Sequence, residues 1–261
     1  MRSFFLTVAA GLFALGLALI GVGRDATGLP YFKVEHALAQ SSVPGINARL
    51  FGLAPSIPTI TYVGHVESSA GTQNTTFTIC STGCSEAGYY VCSWGGYNVG
   101  GITVSSYTIN SLASSKIIGQ TNGSIDNELW GVYTTPSGSL SVTVDKSTTH
   151  TNNEDVSCWV ITNLASQTPT ATATVTTSGA AATLTSVLAN GIVIGAIASG
   201  GATGATISAT GVTLDWSVPA TSSTLPIGAG HSSPGVQTNY NVTFTISSSP
   251  DLTSVVAASF R

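Results

Sequence analysis

"PSGSLSVTVD", Pro136 to Asp145, is the stretch whose reading decides the fold. Leu140, Val142 and Val144 alternate with Ser139, Ser141, Thr143 and Asp145. A two-residue period sends apolar and polar side chains to opposite faces of an extended strand. Pro136, Ser137 and Gly138 form the turn that leads in. The same texture runs outward in both directions. Upstream lie "TITYVGHVE" (Thr59 to Glu67), "TTFTI", "YYVCSW", "GITVSSYTI" and "ELWGVYTT". Downstream lie "VSCWVITNL", "TATATVTT", "NGIVIGAIA", "GVTLDWSV", "YNVTFTI" and "TSVVAASF". Gly, Asn, Ser or Pro separates these runs every eight to twelve residues or so, and no run after residue 58 keeps a helical period. The expectation is an all-β, antiparallel, jelly-roll-like sandwich over 58–261.

Only 7% of the 261 residues are charged. From Ala54 onward the cations are Lys116, Lys146 and Arg261, set against nine carboxylates. Nucleic-acid binding rests on clustered Lys and Arg that neutralise phosphates, so no nucleic-acid partner is expected. Hydroxyl surfaces of this kind suit proteins that persist outside cells or on particles, and offer few groups for acid–base chemistry.

Residues 1–24 read as a signal peptide or membrane anchor, since Ser3 to Gly23 is an uncharged, mostly apolar run long enough to span a bilayer core as a helix. Arg2 before it favours export of the C-terminal domain. Residues 25–57, with Pro30, Pro44 and Pro55, read as a linker or arm.

Four cysteines permit three pairings. Cys80 and Cys84 flank a turn-rich "STG" and are candidates for a small disulfide loop in an exported protein. Cys92 and Cys158 lie in strand candidates, as cross-strand partners or buried thiols. "LSVTVDKSTTHTNNEDVSCWVI" (Leu140 to Ile161) echoes "YNVTFTISSSPDLTSVVAASF" (Tyr240 to Phe260), with Val142 matching Val242 and Asp155 matching Asp251. Gly95-Gly96 and Gly200-Gly201 follow apolar strands upstream of each copy. Either two related halves of one sandwich or convergence within a low-complexity β sequence accounts for the echo.

The stretch from about Pro58 to Arg261 resembles a loose group of jelly-roll-like β-sandwich proteins of tailed phages and prophages. The residues that carry the resemblance are "ITYVGHVESSAG", "GVYTTPSGSLSVTV", "CWVITNL", "NGIVIGAIASGG" and "NYNVTFTISSSPDLTSVVAASF". The resemblance implies a tail, fibre or decoration component of a virion, structural or adhesive, without catalytic residues.

Candidate chemistry is sparse. His231 beside Ser232 and Ser233 in "GHSSPG" lacks nucleophile-elbow spacing and reads as a polar turn. His65 and Glu67 share a strand face with Thr61 and Val63, the pattern of a solvated edge. "HTNNED" (His150 to Asp155) collects oxygen ligands but not at EF-hand spacing, and reads as a hydrated loop. Glu128, Glu154 and Asp155 are the carboxylates that folding could pair for glycoside hydrolysis. Trp216, in phase with Val212 and Leu214, and Trp159, in a run apolar on both faces, read as core. Trp94, Tyr97 and Trp130 are the candidates for a sugar-stacking platform, against the packing role that large aromatics usually take.

The expected function is therefore a non-enzymatic structural or adhesive protein of a virion or cell surface, without metal or cofactor. The alternative is an exported carbohydrate-binding module. Expected partners are other virion or surface proteins and glycans, with homo-oligomers formed at edge strands.

Overall fold

The computed structural model describes residues 57–68, 72–97, 101–149, 154–200, 204–218, 227–248 and 252–261, together with the backbone of Val22–Arg24 and Pro30–Phe32. The chain divides into two units, Met1–Pro55 and Ser56–Arg261. In the first, β1 (Val22–Arg24) pairs antiparallel with β2 (Pro30–Phe32). The apolar run before residue 22, and most of the arm, lie outside the described residues. Among the described residues no helix is long and apolar enough to cross a membrane.

The second unit is all-β. Its first half contains β3 (Thr59–Ser68), β4 (Asn74–Cys84), β5 (Gly88–Tyr97), β6 (Val104–Ile109), β7 (Leu112–Ala113), β8 (Ser115–Asn122), β9 (Ile125–Thr134), β10 (Gly138–Lys146) and β11 (Glu154–Thr162). Its second half contains β12 (Ala171–Val175), β13 (Ala181–Leu184), β14 (Ile192–Gly200), β15 (Ile207–Thr210), β16 (Thr213–Val218), β17 (Ile227–Ser232), β18 (Tyr240–Ile246) and β19 (Leu252–Phe260). Every pairing among them is antiparallel.

The first half forms a five-stranded sheet, β3-β11-β5-β9-β8, and a four-stranded sheet, β4-β10-β6-β7. The second forms a five-stranded sheet, β12-β19-β14-β17-β16, and a three-stranded sheet, β13-β18-β15. Replacing each strand of the first half by its counterpart reproduces the order of the second, apart from the two-residue β7. The sequence echo falls on β10–β11 and β18–β19, which hold equivalent places. Val142 and Val242 are both buried there, while Asp251 lies outside the described residues.

Three apolar layers hold the sheets. Phe77, Tyr107, Leu140 and Val142 of the four-stranded sheet meet Tyr90, Trp94, Val156 and Cys158 of the larger one. Leu184, Val242 and Phe244 meet Val193, Ile197 and Val255 in the second half. Between the halves the two five-stranded sheets lie face to face: Tyr89, Val91, Leu129, Trp159 and Ile161 pack against Ile192, Ile194, Val256, Ala258 and Phe260. The order is thus four layers, with the smaller sheets outside.

That arrangement explains the composition. β10 alternates because one of its faces is solvated, with Leu140, Val142 and Val144 buried. The central strands β5, β11, β14 and β19 are covered on both sides, so they read as continuous small and apolar runs, as twice-buried strands do. Asn110 and Ser111, both at positive φ, make the two-residue turn that joins Ile109 to Leu112.

Candidate functional site

Two bulges position a group of ionisable side chains at the seam. In β3, Trp159 faces Tyr62 and Cys158 faces Gly64, so Val63 is an extra residue. Tyr62 therefore joins the seam between the halves, while Val63 and Val66 pack into the first sandwich. β3 is the edge strand of its sheet with Thr61 and Glu67 exposed, but His65 is half-buried there: its ring packs against Trp216 of the other half, tilted by 32° with centroids 4.3 Å apart. The second bulge lies between Leu214 and Trp216. It breaks the expected phase, so Leu214 packs into the second sandwich while Trp216 joins the seam side, half-buried beside Ile125 and Ala198.

Asp215, at that bulge, accepts from Trp159 Nε1 at 2.8 Å and from His231 Nδ1 at 2.6 Å. Tyr62 hydroxyl and His65 Nδ1 lie 3.0 Å apart. Burial, then the Asp155 and Asp215 carboxylates, push the Tyr62 hydroxyl well above its usual range. Burial lowers His65 and raises Glu67. Asp155 is fully enclosed at the seam and burial holds its carboxyl far above the ordinary range, although Ser157 donates to Oδ1 at 3.2 Å. The Asp155 Oδ2 atom has no donor. Ser232 turns away from this group; its Oγ donates to Gly211 O at 2.8 Å, so His231 and Ser232 form no nucleophile–base pair.

A second group lies in the first sandwich. Lys146 Nζ, fully buried, donates to Glu154 Oε1 and Oε2 at 2.8 and 2.7 Å and to Thr75 Oγ1 at 2.8 Å. Trp94 Nε1 donates to Glu154 Oε2 at 2.9 Å. Burial lowers the Lys146 ammonium, and the Glu154 bond opposes that shift.

The third group is on β8 and β9. Asp126 and Glu128 sit two residues apart on one strand face, each about 1% exposed. Lys116 Nζ binds Glu128 Oε1, Trp130 Nε1 donates to Oε2 at 2.6 Å, and Thr121 donates to Asp126 Oδ1 at 3.1 Å. Burial first, then the Glu128 carboxylate, raise Asp126 to about 7.

The anticipated aromatic platform does not assemble. Trp94 is 0% exposed, because β5 is central and covered on both faces. Tyr97 projects to the opposite side of β5, where it packs by Ile125 and Leu252. Trp130 stacks on Tyr107 with planes 5° apart and centroids separated by 5.4 Å. Of the carboxylates considered for pairing, Glu154 and Asp155 are strand neighbours on opposite faces, and Glu128 pairs with Asp126 instead. The same two-residue rule applied to "IDNEL" would have found that pair. Tyr62 and Asp215 were hidden by bulges that leave no sequence mark. His150 to Asn153 lie outside the described residues, and among the described residues no group of three or more His, Cys, Asp and Glu is placed to hold a metal.

Both disulfides form. Cys80 bonds to Cys84, and Cys92 to Cys158, its directly opposed neighbour across β5 and β11. No protein-family model matches the chain, and no curated protein matches it.

Proposed function

We propose that this chain is a non-enzymatic structural or adhesive protein, a component of a phage particle or cell surface, built from two jelly rolls joined back to back. The observation that carries the reading is the repeated strand order. In each half the larger sheet, with its edge strand β8 or β16 set aside, runs first, last, third and third from last, as β3-β11-β5-β9 and β12-β19-β14-β17, which is the order of a jelly-roll sheet. The polar chemistry is largely spent inside. The acids and Lys146 bind one another or cross the seam, whereas the outer sheets present hydroxyl ladders. Thr76 and Thr143 hydroxyls lie 2.9 Å apart, and Thr183 donates to Asn241 at 2.8 Å, on exposed faces. On this reading, assembly with other virion or surface proteins uses edge strands and loop tips, as oligomers formed by strand addition do. Export fits the pairing of all four cysteines.

The test is fractionation of particles and envelopes from the producing cells, followed by mass spectrometry. Co-purification with particles or with the cell surface is expected. Recovery only as a free soluble protein with no assembly partner overturns the proposal.

A further inference from the structure

We propose that Lys116 and Glu128 form an intramolecular isopeptide bond, an amide between Lys116 Nζ and Glu128 Cδ, with Asp126 as the proton shuttle. Lys116 is opposite Trp130 in the β8–β9 ladder, with a bulge just after it, and its side chain runs forward along β8 to Glu128, the residue opposite Gly119. Gly119 provides the track. A Cβ at that position would lie 2.5 Å from Lys116 Cε and 2.8 Å from Nζ. The carboxyl is buried and the lysine half-exposed, at 2% and 46%. A buried carboxyl with a second carboxyl beside it has no obvious structural use: Asp126 Oδ2 has no donor, and burial and then the Glu128 carboxylate raise Asp126.

The same atoms suit condensation. Lys116 passes one proton to Glu128 Oε1, leaving a neutral amine and a carboxylic acid. Nζ attacks Cδ, and the carbonyl electron pair moves onto Oε2, where Trp130 Nε1–H already points from 2.6 Å. Asp126, which titrates at about 7 and so carries a proton in much of the population at neutral pH, gives that proton to the Oε1 hydroxyl. The hydroxyl leaves as water while the Cδ–Oε1 bond breaks. Asp126 then takes the surplus proton from Nζ, and the carbonyl re-forms on Oε2. Ammonium and carboxylate become amide and water, with no oxidant or co-reactant. The product clips β8, an edge of its sheet, to β9.

The experiment is tandem mass spectrometry of the purified full-length protein after reduction and tryptic digestion. Lys116 and Glu128 are expected in one peptide, uncut after Lys116 and lighter than its sequence by one water. Lys116→Arg, which keeps the charge and the exposed stem, should give cleavage and the full sequence mass. Asp126→Asn should slow linkage about 100-fold or more, the usual scale of general acid–base assistance. A linear peptide of full mass from wild-type protein held at neutral pH for days overturns the bond. Wild-type linkage rates in folded Asp126→Asn protein overturn the shuttle.

Discussion

Trp159 of β11 donates its indole N–H to the Asp215 carboxylate of β16 at 2.8 Å, across the seam between the two sandwiches. The bond joins residues of different halves in a layer that is otherwise mostly apolar. Replacing Trp159 by Phe keeps a ring in the layer but leaves Asp215 with His231 Nδ1 as its remaining partner in this group. A hydrogen bond to a charged group contributes about 1.5–3 kcal/mol, so Trp159→Phe should lower unfolding stability by at least that much. Urea titration should show an earlier midpoint with an unchanged slope.

Asn127 spans the same seam. Its Nδ2 donates to Ala196 O at 2.9 Å and to Ser254 O at 3.0 Å. Asn127→Asp would set a carboxylate against two carbonyl oxygens in a buried place. The folded-state pKa of the new carboxyl would rise above its unfolded value. Its destabilisation should therefore be small in acid and grow as pH rises. Thermal midpoints of variant and wild type should diverge from about pH 4 upward, where an unfolded aspartate ionises.

Asp126 supplies a built-in example. Its folded carboxyl titrates at about 7. The unfolded value is about 3.9, so between the two the folded state holds a proton that the unfolded state has lost. Stability from this group is complete below the lower value and is lost as pH rises through the upper one. Compared in the Lys116→Arg background, where no isopeptide bond forms and Glu128 stays a carboxylate, Asp126→Asn should flatten that part of the pH–stability curve and be relatively more stable at neutral pH.

Lys146 and Glu154 test a buried pair. Lys146→Met removes the ammonium that both Glu154 oxygens accept from. Breaking such a pair from one side costs about 3–5 kcal/mol, whereas replacing both partners by apolar groups is often nearly neutral. The double variant Lys146→Met with Glu154→Leu should recover much of the loss. Equal stability of the single and double variants would contradict this account.

The strands themselves were legible because alternation is written directly in residues such as Leu140, Val142 and Val144. The twice-buried strands were legible as well; Trp159 lies in a run apolar on both faces and is fully buried. Even the relation of β10–β11 to β18–β19 showed as an echo. What stayed hidden was set by tertiary packing. A bulge adds one residue and reverses the faces beyond it, which is how Trp216 left the phase of Leu214 and Tyr62 came to the seam. Trp94 gave no sign of which sheet would cover it, because a Gly-Gly pair looks like an opening. Here Gly96 makes room for the Trp94 ring, which a Cβ at that position would overlap.

The seam implies that the halves unfold together. Phe260, Ile192, Trp159 and Tyr89 would all be bared by separation, and the four layers have no apolar face to spare. Differential scanning calorimetry of the oxidised protein tests this most directly. A single transition is expected for Ser56–Arg261, with calorimetric and van't Hoff enthalpies equal. Two resolved transitions, each carrying about half the enthalpy, would contradict it.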